Sequence, residues 1–137
     1  MRLDLYQAET ARIAAAHSAL LAQANAILES GRALTPLEQS GVLHALQVLI
    51  ENAIGKGKHL LKAQSQPVPI SAYDTFKALS ENGVIDTSEL AMWNAVIGLR
   101  NRIVHDYLNI DMTQVLALIA AERHGFVVQF LLKPVVE

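Results

Sequence analysis

The residues best suited to chemistry lie close together, between Gly98 and Tyr107. Arg100 carries a guanidinium that stays charged at any relevant pH and binds phosphate through its planar fork. His105 follows five residues later, titrates near neutrality and can take or give a proton. Cleavage of RNA without a metal needs these functions: a base for the ribose 2′-OH, an acid for the leaving 5′-oxygen and a cation for the phosphorane. These residue types therefore point to phosphate chemistry that ends in a 2′,3′-cyclic phosphate.

The segment that carries these residues has the periodicity of a helix from Leu90 to Tyr107. At about 100° per residue, one stripe has the spacing of a buried face, and its members are Leu90, Trp93, Ile97, Arg100, Val104 and Tyr107. Arg100 thus occupies a core position, where an unpaired guanidinium is costly unless its head reaches water. A second face is polar and lacks Glu and Lys; it consists of Asn94, Gly98, Asn101 and His105. This pattern indicates a role beyond packing.

Arg100 and His105 do not share a face of this helix. Five residues place them about 140° apart, whereas Asn101 lies on the same face as His105 and Tyr107 on the same face as Arg100. Two arrangements would bring the arginine and the histidine to one substrate. The helix could loosen near His105, or two copies of the segment could meet across a twofold axis. The second arrangement would place two arginines and two histidines around one cleft.

The composition favours that second arrangement. The chain has 137 residues, which predicts one domain over residues 1–137. It is 52% hydrophobic and only 18% charged, below the roughly 25% charged residues usual in soluble domains. We therefore expect another subunit to cover part of its apolar surface. The net charge of −2 means that any nucleic-acid site must be local.

Two groups of basic residues are candidates for such a local site. The first is Arg100 with Arg102. The second is the cluster of Lys56, Lys58, His59 and Lys62, for which a solvated helix end is the favoured interpretation.

Several other classes of function are disfavoured. No apolar run approaches the roughly 18 residues that span a bilayer, and the start of the chain, Met1–Leu5, has an acidic residue where a signal peptide needs an apolar stretch. The absence of cysteine excludes disulfides and thiolate chemistry. The remaining histidines, His17, His44, His59 and His124, show no metal-ligand spacing. The sequence thus predicts a cytoplasmic protein without a metal or a cofactor.

The apolar periodicity predicts an all-α bundle of four longer helices and one short helix. The first helix runs from Leu3 to about Glu29, and Gly31 supplies its stop. The run Thr35–Glu38 begins the second helix, with a threonine N-cap, a proline at the first position and a glutamate that closes a capping box. Gly55 and Gly57 within this helix permit the close approach of a neighbouring helix.

Further local signals delimit the other helices. Residues 64–69 form a loop, Ser71 opens the short helix and Gly83 ends it. The Asp86–Glu89 pair predicts a capping box at the start of the fourth helix, and the Asp111–Gln114 pair predicts one at the start of the fifth. The fifth is predicted to be one continuous helix, with the apolar residues Val115, Ile119, Phe126 and Phe130.

The stretch around Arg100 resembles the Arg-x4-His-x-Tyr motif of the HEPN superfamily, with Arg100, His105 and Tyr107 as its members. More narrowly, it is similar to the HepT-like toxins of HEPN–MNT toxin–antitoxin pairs. The likeness includes the segments 71–76 and 79–85, continues through residues 109–111, and covers about half of the chain. The match of Arg-Asn-x-x-x-His-Asp-Tyr at the end of a fourth helix is more specific than a bare Arg-x4-His.

This resemblance implies a homodimer with the motif at the dimer cleft, acting as a metal-independent endoribonuclease toxin. It implies a partner, a small nucleotidyltransferase antitoxin that uses ATP and magnesium to attach AMP to the motif tyrosine. By position that acceptor is Tyr107. An adenylate there would add bulk and negative charge beside Arg100 and block entry of the phosphate.

Each site residue has a second interpretation. Arg100 is either catalytic or a salt-bridge residue of the dimer, and His105 is either the acid–base residue or an ordinary hydrogen-bonded histidine. Asn101 orients His105 or caps the helix, and Asp106 orients the histidine or only ends the helix.

The roles of Tyr107 and Arg102 and the function of the protein are likewise left open by the sequence. Tyr107 is either the AMP acceptor or a packing residue, and Arg102 is a candidate RNA contact. The alternative function is a non-catalytic HEPN binding module that partners a nucleotidyltransferase, and a third possibility is a purely structural helical dimer.

Overall fold

The computed structural model describes residues 3–134, and this part of the chain forms six α-helices and no strand. The helices are α1 (Leu3–Glu29), α2 (Pro36–Ala63), α3 (Ala72–Glu81), α4 (Leu90–His105), α5 (Met112–Ala120) and α6 (Gly125–Leu132). Two 3₁₀ turns, Thr87–Glu89 and Tyr107–Asn109, lie on either side of α4. The predicted all-α class is confirmed. Met1 and Arg2 lie outside the described residues, as do residues 135–137, so the single domain over 1–137 and the absence of a signal peptide stay predictions.

Helix α2 is the centre of the bundle, because α1, α3, α4 and α6 all pack against it. Four aromatic side chains build the core beside it. Phe76 of α3 stacks on Trp93 of α4 with ring centroids 4.2 Å apart. Phe126 and Phe130 meet the Trp93 ring edge-on at 4.9 and 5.0 Å, a geometry that aromatic quadrupoles favour. This cluster fixes α4 relative to α3 and α6.

The local signals at three helix ends are confirmed. The Thr35 side chain accepts from the backbone N–H of Glu38, and the Glu38 carboxylate accepts from the N–H of Thr35, so the capping box of α2 is complete. Ser71 caps α3 through the N–H of Asp74. Gly83, at φ +73°, ends α3 in a left-handed conformation that glycine adopts at little cost.

The predicted capping box of the fourth helix is wrong. The Asp86 carboxylate accepts from the N–H of Ser88 at 3.3 Å, and the next residues form a 3₁₀ turn, so α4 begins at Leu90 without a side-chain cap. At α5 only half of the box is present among the described contacts. Asp111 accepts from the N–H groups of Thr113 and Gln114.

The fifth predicted helix is broken into α5 and α6, which meet at 59°. The break is at Glu122, which has φ +55°. Its N–H donates to the carbonyl of Ile119, and the N–H of Arg123 donates to that of Leu118, which is the hydrogen-bond pattern of a left-handed helix stop. Sequence analysis missed this stop because glutamate, rather than the usual glycine, occupies the left-handed position.

No single helix within residues 3–134 is long and apolar enough to cross a membrane; by length and composition alone, the bent pair of α5 and α6 together passes that test.

Candidate active site

Helix α4 stays regular to its last residue, His105. The N–H of Asp106 still donates to the carbonyl of Arg102 at 2.8 Å, and the backbone leaves the helical region only at Asp106, with φ −145° and ψ 43°. Because the helix does not loosen before His105, Arg100 and His105 stay about 140° apart around its axis. Of the two arrangements that would unite them, loosening is therefore absent, and the meeting of two copies stays a prediction.

The Arg100 side chain lies at the seam between α2 and α4 and is 27% exposed. Its Nη2 donates to a carboxylate oxygen of Glu51 at 3.1 Å, and its Nη1 donates to Asn101 Oδ1 at 3.0 Å. Its Nε is buried without a hydrogen-bond partner among the described residues. A guanidinium has five N–H groups, so one on each terminal nitrogen is left unused by these contacts. These two N–H groups are available to donate hydrogen bonds to a phosphate.

Tyr107 lies at the other end of the same seam. Its hydroxyl donates to Ser40 Oγ of α2 at 3.2 Å, and the side chain is 46% exposed. Ser40 and Glu51 are both on α2, so this one helix contacts the tyrosine and the arginine of the motif. The phenol is accessible to solvent, as an acceptor of a transferred group must be.

His105 is exposed at the end of α4. Within residues 3–134 its imidazole makes no side-chain hydrogen bond, ion pair or ring contact with another residue. An imidazole in this position is accessible to a substrate, which a proton-transfer residue has to reach directly or through one water.

The two predicted supporting residues do not contact His105. Asn101 accepts a hydrogen bond from Arg100, so it orients the arginine rather than the histidine. Asp106 accepts from the side-chain amide of Asn109 at 2.6 Å, which ties down the 3₁₀ turn after α4. Of the two interpretations of Asp106, the structure supports the one in which it ends the helix.

Arg102 lies on a different face of α4 from Arg100 and is exposed. It lines an open cavity of about 370 Å³ between α4 and α5, whose other polar lining residues include Asn109 and Gln114. Arg102 is therefore not part of the α2–α4 seam. Its contact with RNA stays a prediction.

Within the basic cluster on α2, Lys62 is exposed and Lys58 and His59 are partly exposed, as a solvated helix end predicts, but for Lys56 that prediction is wrong. Lys56 is 1% exposed, and its ammonium donates to the carbonyls of Phe130 at 2.7 Å, Leu131 at 3.2 Å and Lys133. Burial, with Lys133 as a nearby like charge, lowers the pKa of Lys56 to about 8. Lys56 thus satisfies the carbonyls at the end of α6, a structural role that the sequence prediction did not include.

Sequence analysis missed three residues of α2: Ser40, Gln47 and Glu51. The Gln47 amide donates at 3.2 Å to Oε1 of Glu51, the carboxylate oxygen that Arg100 does not contact. The three residues lie at positions i, i+7 and i+11, on one face of the helix, and this polar stripe was the available signal. The sequence does not tell which helix that stripe faces, so the signal was not sufficient.

Comparison with known proteins places this site in context. The family model described as Ribonuclease HepT-like matches residues 19–126. The protein named mRNA nuclease HepT from Shewanella oneidensis is 34% identical over 76 residues, which cover 54% of this chain and 57% of that protein. The chain thus spans less than two thirds of the length of this curated relative.

Two solved structures have the same fold. One is a crystal structure of a toxin–antitoxin with AMP-PNP, which matches with a TM-score of 0.77 at 18% identity and covers 92% of this chain and 97% of that chain. The other is the tri-AMPylated Shewanella oneidensis HEPN toxin in complex with MNT antitoxin. It matches with a TM-score of 0.78 at 21% identity and covers 92% of this chain and 93% of that chain. At these identities the likeness shows the fold.

Proposed function

The chain belongs to the HepT-like ribonuclease family, and from that premise we propose that it is a metal-independent endoribonuclease toxin that uses Arg100 and His105. The observation that carries this proposal is the hydrogen bonding of Arg100. Its guanidinium is oriented by contacts from two side chains and keeps one unused N–H on each terminal nitrogen. The exposed His105 lies five residues further along the same helix.

In this mechanism Arg100 binds the scissile phosphate and stabilises the charge that builds up on it. A base removes the proton of the ribose 2′-OH, the 2′-oxygen forms a bond to phosphorus, and the bond from phosphorus to the 5′-oxygen breaks. An acid gives its proton to that 5′-oxygen. The products are a 2′,3′-cyclic phosphate and a 5′-hydroxyl. Proton transfer by positioned groups contributes about 10²–10⁴ in rate.

His105 is the proton-transfer residue, and the second one comes from another copy of the chain. The regular helix keeps His105 about 140° from Arg100, so one chain alone has a poor arrangement for both functions. Two copies related by a twofold axis would supply two arginines and two histidines. One imidazole would then serve as base and the other as acid.

A nucleotidyltransferase antitoxin is the proposed partner, and Tyr107 the proposed acceptor of AMP. The exposed phenol would attack the α-phosphorus of ATP, form an oxygen–phosphorus bond and release pyrophosphate, with its proton passing to a base of the antitoxin. The adenylate would add bulk and a negative charge on the seam that contains Arg100, which opposes binding of an RNA phosphate. The named partner of the Shewanella oneidensis toxin supports this assignment, and a cytoplasmic location is part of the proposal.

The test is cleavage of a labelled RNA by the purified protein in excess EDTA, alongside His105→Ala. Mass spectrometry must first show that Tyr107 carries no AMP. We expect fragments with cyclic phosphate ends from the wild type and a loss of cleavage in the variant. Because His105 is exposed, the variant should unfold at the same temperature as the wild type.

Absence of cleavage by clean, unmodified protein would contradict the proposed function and favour a binding module that partners a nucleotidyltransferase. Cleavage that persists in His105→Ala would instead remove His105 from the mechanism. Cleavage that stops in EDTA and returns with a divalent ion would show that the reaction depends on a metal.

A further inference from the structure

We propose that Glu51, itself oriented by Gln47, is a positioning residue that sets the direction in which Arg100 presents its guanidinium to phosphate. The inference rests on the proposed ribonuclease function, since it assigns a role within that site. Glu51 lies on α2, 49 positions before Arg100, and is not part of the Arg-x4-His-x-Tyr motif.

Four side chains from two helices form a continuous chain of hydrogen bonds. The Gln47 amide donates to Glu51 Oε1 at 3.2 Å, Arg100 Nη2 donates to Glu51 Oε2 at 3.1 Å, and Arg100 Nη1 donates to Asn101 Oδ1 at 3.0 Å. Each terminal nitrogen of Arg100 therefore has one fixed contact. With both nitrogens held, the plane of the guanidinium cannot rotate without breaking one of these contacts. The remaining two N–H groups keep a defined direction.

The other two arginine–carboxylate pairs in the described part of the chain are arranged differently. Arg12 gives two nitrogens to Glu9, and Arg32 gives two nitrogens to Glu38, so both of these forks are occupied by their carboxylates. Arg100 gives Glu51 only one nitrogen. The Glu51 carboxylate therefore holds the guanidinium at one nitrogen and does not occupy two nitrogens of its fork.

A purely stabilising role explains this arrangement poorly. The two side chains are 27% and 37% exposed, and ion pairs with that much solvent contribute little to stability. An ion pair that only stabilises the fold also does not require Gln47, whose amide hydrogen-bonds the other oxygen of the Glu51 carboxylate. Preorganisation of the Arg100 guanidinium does require a fixed Glu51 carboxylate, because small errors in the placement of a catalytic group reduce the rate strongly.

The kinetic test compares Glu51→Gln and Glu51→Ala with the wild type on a short labelled RNA. We expect kcat to fall about 10-fold in Glu51→Gln, which keeps one acceptor oxygen, and about 100-fold in Glu51→Ala, with a smaller change in KM. Glu9→Gln is the matched control: it removes the carboxylate of an exposed ion pair on α1 and should cleave like the wild type. Circular dichroism and thermal unfolding confirm that the variants are folded.

A second measurement does not depend on cleavage. Nitrogen-15 relaxation of the Arg100 Nε–H signal, assigned by its loss in Arg100→Lys, reports the mobility of the guanidinium. We expect a rigid signal in the wild type and in Glu9→Gln, and a mobile one in Glu51→Ala. In an Arg100→Lys background, loss of Glu51 should cause little further loss of cleavage, because the two residues act as one unit.

The outcomes separate the two proposals. If the wild type does not cleave RNA but its Arg100 guanidinium becomes more mobile when Glu51 is removed, the ribonuclease proposal is contradicted. The proposal that Glu51 orients Arg100 is then still supported. If Arg100 is equally mobile with and without Glu51, the inference is overturned whatever the cleavage result. A kcat that is unchanged or raised in Glu51→Gln also overturns it, and a raised value would show that the carboxylate competes with phosphate.

Discussion

At the scale of individual residues, Tyr107 is the proposed acceptor of AMP. Within residues 3–134 its hydroxyl has a single partner, Ser40 of α2, and the residue is 46% exposed. That hydrogen bond directs the phenol towards α2, on the seam that contains Arg100. A group attached to Tyr107 therefore starts on the side of α4 where the proposed phosphate site lies.

We expect Tyr107→Phe to abolish adenylylation by the partner antitoxin, because the acceptor oxygen is missing. Tyr73→Phe is the matched control. Tyr73 belongs to α3 and is 42% exposed, and its hydroxyl lies close to Gly98 of α4. Intact-mass spectrometry after incubation with the antitoxin and ATP measures the result. Transfer of AMP to Tyr107→Phe at the rate of the wild type would assign the acceptor to another residue.

At the scale of elements, the position of α2 decides the geometry of the site. It contacts the arginine of the motif through Glu51 and the tyrosine through Ser40. A different side of α2 packs against α3 at Gly57, where a Cβ would lie 2.9 Å from Leu79 and 3.3 Å from Thr75. The prediction that glycines of α2 permit a close approach is confirmed at Gly57. At Gly55 it is wrong, because a Cβ there would meet nothing within 4 Å.

These two glycines provide a matched pair of substitutions. Gly55→Ala should stabilise the protein by up to about 1 kcal/mol, since alanine favours a helix more than glycine does. Gly57→Ala should cost about 1–3 kcal/mol from overpacking, because Leu79 and Thr75 are fully buried and have little room to move. Urea unfolding measures both values. Equal stability of the two variants would contradict the close contact of α2 with α3.

At the scale of the whole molecule, Lys56 connects three helices. It belongs to α2 and bonds the end of α6, and Gln7 of α1 donates to the same carbonyl of Leu131 at 3.2 Å. The pKa of Lys56 is lowered from 10.5 to about 8, chiefly by burial. Between these values the folded protein binds fewer protons than the unfolded chain. The stability that Lys56 contributes therefore rises with pH across this window and is lowest below it.

We expect the free energy of unfolding of the wild type, relative to Lys56→Met, to increase from about pH 8 to about pH 10. Chemical unfolding of both proteins at several pH values measures the difference, in which the effects of other groups largely cancel. Lys62→Met, which removes an exposed lysine of the same helix, controls for the loss of one charge. A difference that is flat or falls with pH would contradict the prediction.

The proposed dimer is a second prediction at this scale. Val104 and Leu108 are 43% and 95% exposed beside the motif, where a second copy would have to approach. Leu108→Glu should weaken association and reduce cleavage, whereas Ile70→Glu, at 96% exposure in the loop before α3, should do neither. Sedimentation should give twice the 14.9 kDa chain mass for the wild type. A wild-type protein that cleaves RNA as a monomer would refute the two-copy site.

Some features of this protein follow from its sequence alone. The complete cap at Thr35 and the stop at Gly83 were predictable, because they depend on hydrogen bonds and dihedral angles within a few residues. The family was predictable as well, since the spacing from Arg100 to Tyr107 is a property of a short segment. The stop at Glu122 is equally local but was missed, because glutamate there carries no signal that distinguishes it.

Only the tertiary structure decided the surroundings of the motif. Glu51 and Arg100 are separated by 49 positions, and Ser40 and Tyr107 by 67. Which face of α2 meets which face of α4 depends on how the whole core packs, so no local pattern reveals these pairs. The same holds for Lys56, whose pattern suggested a solvated helix end although its ammonium is buried at the end of α6. Contacts between distant segments depend on how all the core side chains pack together, and that packing exists only in the folded chain.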